Sequence, residues 1–169
     1  MNETVAKEAL RLEESLLYTF KQHYEAEQLW LKGHYSLGIP AAGLSAIAGT
    51  TAMSGLPDYV TASTGILAAF FAAAMTMTHP ERKSQAHREA GRLHQELYEQ
   101  IRRWSTVDLP GQSSKVARLF LEKVASAKAD LATSSPGLPR IVYQRVKRGI
   151  EAGEAEFGRD RAEQAYAPR

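Results

Sequence analysis

The chain has 169 residues, with 21 Lys and Arg against 19 Asp and Glu, for a formal charge of +2. That balance excludes a general nucleic-acid binder held by bulk charge. The absence of cysteine excludes disulfides, thiolate metal sites and cysteine nucleophiles.

The mean hydropathy of −0.34 looks soluble, but it averages two uncharged stretches with highly charged flanks. Long runs rich in Ala, Leu, Glu, Lys and Arg favour helix nearly throughout. The N-terminal MNETVAKEALRLEE is charged and amphipathic, without the basic-then-apolar layout of a secretory signal. Any membrane insertion is therefore expected to use internal segments.

Residues 3–32 read as one helix, because Ala9, Leu12, Leu16, Phe20, Tyr24 and Leu31 recur at helical steps with charges between them. An uncharged run follows, and the first span is placed at 35–54, with Pro40 near its start where a helix tolerates proline best. Ser54-Gly55-Leu56-Pro57-Asp58 reads as a turn, placed at 55–58. The second span, 59–78, carries no charged side chain and is rich in Ala, Ile, Leu, Phe and Met. About 20 such residues cross the roughly 30 Å hydrocarbon core of a bilayer. A short turn between the two runs makes them an antiparallel helical hairpin.

Thr78-His79-Pro80-Glu81 has the spacing of a capping box, and Pro80, with no amide hydrogen, kinks or restarts the helix at the membrane exit beside Glu81. Over 81–104, Ala86, Ala90, Leu93, Leu97, Ile101 and Trp104 form a stripe suited to an antiparallel coiled coil with the first helix. Residues 106–113, with Pro110 and Gly111, read as a loop. Two further helices, about 114–132 and 139–157, carry Val116, Leu119, Phe120, Val124, Ala127 and Leu131, then Ile141, Val142, Val146, Ile150 and Phe157. A charged tail from Gly158 is expected to fray. The fold class is thus all-α: a two-helix transmembrane hairpin (1–104 with its flanking helices) and a C-terminal helical extension over 105–169.

Orientation follows from the basic residues beside the spans. Lys21 and Lys32 precede the first span, Arg82, Lys83, Arg88 and Arg92 follow the second, and the turn holds only Asp58. Both termini are expected on the cytoplasmic side.

Small residues recur every four positions, as Gly38, Ala42, Ala46 and Thr50, then Ala41, Ser45 and Gly49, and again as Thr61, Gly65, Ala69 and Ala73. Such ridges let membrane helices approach closely. They serve either the pairing of the two helices within a hairpin or contacts between protomers, and both can hold. No ionisable residue lies mid-span, so a proton relay is not expected. An aqueous path would be lined or gated by Ser45, Thr50, Thr64, Phe70 and Phe71.

Chemistry is otherwise hard to find. Gly38 to Ser45 has the glycine spacing of a phosphate loop, but Leu44 stands where lysine is required and no strand precedes it. There is neither H-E-x-x-H nor a nucleophile elbow. His87 and His94 are seven apart on one helix, about 10.5 Å by the helical rise, too far to share a metal. No enzyme, cofactor or metal site is expected. Arg140, Arg145, Lys147 and Arg148, interleaved with Tyr143, form either a docking patch for an anionic partner or a solvated helix face.

The order of parts resembles the SLATT domain, a two-transmembrane effector of bacterial nucleotide-signalling conflict systems. The likeness rests on a long first helix ending in His34-Tyr35-x-x-Gly38-Ile39-Pro40, two small-residue spans around a short turn, then Pro80-Glu81 and His87-Arg88. It covers about residues 1–104, and Gly38, Pro40, Pro80 and His87 match the family pattern. The resemblance implies an oligomeric effector of antiphage defence that forms a pore in, or disrupts, the bacterial inner membrane. It implies a separate sensor or nucleotide-producing protein as partner; since residues 105–169 carry no recognisable sensor domain, either that partner supplies the trigger or the C-terminal helices sense it. A non-conducting membrane scaffold that recruits a cytoplasmic partner is the alternative, and a soluble helical protein with a quiet central hairpin is a third reading.

Overall fold

The computed structural model describes residues 3–154. These are all-helical: α1 (Glu3–Met53), α2 (Asp58–Thr78), α3 (Pro80–Arg103), α4 (Ser114–Ser134) and α5 (Arg140–Glu151), with no strand among the described residues. They fall into two compact units, one of residues up to Glu25 with those from Glu89 onward, the other Ala26–Arg88. α1 and α3 each contribute to both.

The first unit is a bundle of four helical segments around one apolar core. Val5, Ala9, Leu12 and Leu16 of α1 meet Leu97, Tyr98, Ile101 and Trp104, and Ala117, Leu121 and Val124 of α4 close the cluster. Leu16 and Ile101 are fully buried, each contributing about 1.5–3 kcal/mol of apolar burial. The segments of α1 and α3 run antiparallel: the Phe20 ring lies 5.3 Å from that of Tyr98, and the Tyr24 hydroxyl donates to Gln95 Oε1 at 2.8 Å. They approach closely at Gly91, where a Cβ would stand 3.1 Å from the Tyr24 ring. α5 is tied to α1 by Arg145, which meets Glu25 at 2.9 Å, and it buries Val142 and Val146.

Residues 105 onward are therefore not an appendage to this unit, since α4 supplies a quarter of its buried core. The buried face of α4 is Ala117, Leu121 and Val124, whereas Val116 and Leu119 of the expected stripe are exposed. The expected loop at 106–113 is mostly helical: a wide π turn, Trp104–Asp108, and a 3-10 turn, Leu109–Gly111, carry α3 onward. Pro110 sits near the start of that last turn, where its missing amide costs little. Of the expected 139–157 helix, Arg140–Glu151 forms; Phe157 and the charged tail lie outside the described residues.

The second unit is built on the distal part of α1, α2 and the first turns of α3. No break separates the expected helix 3–32 from the expected span 35–54, because α1 continues unbroken through both with Pro40 inside it. The turn falls where composition places it, with Gly55 at φ +69, a conformation glycine adopts without a Cβ penalty.

The second break is at His79, which takes a left-handed conformation, φ 44 and ψ 52, while its amide donates to Met75 O at 3.1 Å. Pro80 then opens α3. The restart is as expected, but the capping box is not its device. The Thr78 hydroxyl donates back to Ala74 O at 2.7 Å, so Thr78 ends α2 rather than capping α3.

Candidate functional site

Two helices are long and apolar enough to span a membrane, and only 6% of the apolar window of each is buried. A helix at the core of a soluble protein would be mostly covered. Here Ile39, Ile66 and Phe70 remain 68%, 70% and 66% exposed, with Tyr35, Ile47, Met53, Tyr59, Leu67 and Met77 exposed as well. α2, with 21 residues, measures about 31 Å by the helical rise.

The hairpin closes along a narrow seam. The Thr61 hydroxyl donates to that of Thr51 at 3.0 Å, and a Cβ at Gly38 would meet Met75 Sδ at 3.6 Å, so the helices run antiparallel. Leu37, Leu44 and Thr51 on α1, and Thr61, Ala68 and Met75 on α2, lie on the covered faces, with Thr51 and Ala68 the most buried. That is a seven-residue spacing, the repeat that keeps a seam in register between helices at a shallow left-handed crossing.

The four-residue ridges mostly lie elsewhere. Gly38 and Gly65 are half-buried at the edges of the seam, but Ala42, Ala46, Gly49, Ala69 and Ala73 are exposed. Within the protomer these five do not serve the pairing of the two helices.

Hydroxyl groups in the two runs are satisfied locally. Ser36, Ser45, Thr50, Thr51, Ser54, Ser63, Thr64, Thr76 and Thr78 each donate to a backbone carbonyl three or four residues earlier, and Thr61 donates to Thr51. In hydrocarbon, where no water is at hand, that is what polar side chains require. The expected pore-lining set is thus dispersed: Ser45 and Thr50 face outward, Thr64 lies near the seam, Phe70 is exposed and Phe71 half-buried. Phe70 and Phe71 meet edge to face at 5.8 Å between ring centres, but one protomer does not gather the five at one place.

Where the hairpin meets its charged flank, a groove of about 580 Å³ opens in the second unit. Its floor is Gly38, Ala41, Ala42, Ala72 and Met75, and its rim includes His34, His79, Glu81 and Arg82. Beside it, the Lys83 ammonium sits 4.2 Å from the centre of the Trp30 ring. Sequence reasoning named Pro80 and Glu81 as a kink, His34 as part of a motif and Arg82 as an orientation charge, but not as one site, because the groove joins residues from separate helices.

The basic patch of α5 is partly spent. Arg145 pairs with Glu25, Lys147 with Glu151 at 3.7 Å, and Arg148 Nε donates to Gln144 O at 3.3 Å, while Arg140 is exposed. In the first unit, His23 and His94, each 1% exposed, stack at 5.3 Å between ring centres, and Ala90 O lies 2.8 Å from His94 Nδ1. Among the described residues no group of His, Asp and Glu is placed to hold a metal ion. Burial holds the Lys128 ammonium below the usual lysine range, Arg11 adds to this and Glu8 opposes it, while the ammonium donates to the Ser15 hydroxyl.

No family model, curated protein or solved structure matches the chain.

Proposed function

We propose that the protein is a membrane effector of bacterial antiphage defence, acting at the inner membrane with both termini cytoplasmic. In this reading its hairpins assemble into a leak when a separate sensor or nucleotide-producing partner signals through the cytoplasmic helices. The observation that carries the membrane part is the pair of adjacent apolar helices whose faces stay uncovered by the protein itself. The effector part rests on the order of elements shared with SLATT domains.

Assembly is assigned to the outward small-residue faces outside the groove, Ala46 and Gly49 on α1 and Ala69 and Ala73 on α2, which leave backbone accessible to a neighbour. The scaffold reading keeps one observation on its side: the hydroxyls of the two spans are already satisfied within the protomer and need no water-filled path.

Single cysteines decide the first step, since the chain has none of its own. With cysteine at Leu56 or Gln85, an impermeant thiol reagent on intact cells is expected to label position 56 and spare position 85. Equal protection of both, with both labelled in the soluble fraction after lysis, would remove the membrane reading. Depolarisation and growth arrest on expression then separate effector from scaffold, which should produce neither.

A further inference from the structure

We infer that the groove at the charged end of the hairpin binds one anionic phospholipid, its phosphate at the rim and an acyl chain along the floor. The inference rests on the membrane reading above and adds a ligand to it.

The rim has the chemistry for a phosphate. Arg82 is exposed and makes no ion pair among the described residues, so its guanidinium is available for the paired hydrogen bonds that phosphate accepts. His34 Nδ1 is closed off from solvent and has no hydrogen-bond partner, so a ligand group reaching it would satisfy a polar atom the protein leaves unpaired. His79 lies between them on the same rim. Glu81 is the opposing charge there, but its carboxylate accepts from Gln85 Nε2 at 3.3 Å. The first turn of α3 also borders the groove; Pro80 has no amide hydrogen and the Lys83 amide donates to His79 O at 3.2 Å, which leaves the Glu81 and Arg82 amides at the helix start.

The floor argues for a lipid rather than a soluble phosphate. From His34 to Ser45 the lining runs 11 residues along α1, roughly 16 Å by the helical rise, about half the thickness of the hydrocarbon core. Below the rim it is lined by glycine, alanine and methionine, with Ser45 and Thr76 presenting hydroxyls already bonded to Ala41 O and Ala72 O. A nucleotide would find no hydrogen-bond partner for its base on such a surface. An acyl chain needs none.

Native mass spectrometry of the full chain in neutral detergent tests this, with phosphatidylglycerol and phosphatidylcholine of equal chain length as probes. Phosphatidylglycerol adducts are expected at several-fold lower lipid concentration. Arg82→Gln should reduce that preference roughly fivefold, the size expected for one basic residue at an anionic surface. Ala42→Phe, which fills the floor, should weaken both lipids, while Ile39→Phe, outside the groove, should change neither. Far-UV circular dichroism checks that each variant keeps its helix content. Wild-type binding by both Arg82→Gln and Ala42→Phe would overturn the inference, as would displacement of the lipid by inorganic phosphate alone. Flotation of the protein with carbonate-washed vesicles is read in parallel: flotation without lipid preference sinks only the groove, and lipid preference without flotation sinks only the membrane reading.

Discussion

At the scale of single residues, His87 has the clearest consequence. It is 3% exposed, and burial holds its imidazole below the usual 6.5. Between that value and the lower folded one, the unfolded chain binds more protons than the folded chain. Stability therefore rises with pH across the window and is flat above it. Thermal unfolding followed by circular dichroism from about pH 7.5 to about pH 5 is expected to show melting falling as His87 in the unfolded state titrates. His87→Gln should flatten part of that slope; an unchanged slope would assign the acid sensitivity to groups other than His87. The sequence placed His87 and His94 on one helix face but did not reveal the stacked partner, because His23 is 71 residues away from His94 in the chain and nothing local joins them. Thr78 failed for the opposite reason. Its spacing to Glu81 fits a capping box, yet the backbone at His79 turns left-handed, and a hydroxyl still inside α2 finds Ala74 O first.

At the scale of elements, breaks set by backbone chemistry were legible and faces set by packing were not. The structure breaks at Gly55-Leu56-Pro57 and before Pro80, as composition places them, whereas Pro110 and Gly111 lie in a 3-10 turn rather than a loop. Between 32 and 35 nothing interrupts, so α1 runs through; Pro40 alone does not end it. The ridge at Gly38, Ala42 and Ala46 was visible as a pattern, but which pattern closes the hairpin depends on the crossing of α1 and α2. The seven-residue seam through Ala68 follows that crossing and leaves Ala69 outside. Two neighbouring substitutions separate the roles. Ala68→Leu overfills the seam and is expected to destabilise the hairpin by about 1–3 kcal/mol, read as denaturant unfolding in micelles. Ala69→Leu should leave that unfolding unchanged and instead weaken self-association, read by crosslinking in membranes. Equal behaviour of the two would remove the distinction between an inner seam and an outer assembly face.

At the scale of the whole chain, the bundle of the first unit depends on parts that sequence order made look optional. Helix α4 begins past the segment that resembles a known domain, yet Leu121, 7% exposed, shares one core with Val5, Leu16 and Ile101. Leu121→Ala removes buried methyl groups from a three-sided contact, and a cost of about 2–5 kcal/mol is expected in thermal unfolding of the bundle. The apolar hairpin contains no residue of that core, so membrane insertion in the thiol-labelling assay should be unaffected. The functional outcome then distinguishes how the helices of the bundle act. If their packing restrains the hairpins until a signal arrives, a loosened bundle should cause growth arrest at lower expression than wild type. If the packed bundle is instead what drives hairpins together, the same substitution should abolish arrest while leaving the protein in the membrane. A restraint is the expected result, because the proposed effector must stay silent until it is triggered, and a bundle that drove assembly by itself would leave no step for the signal.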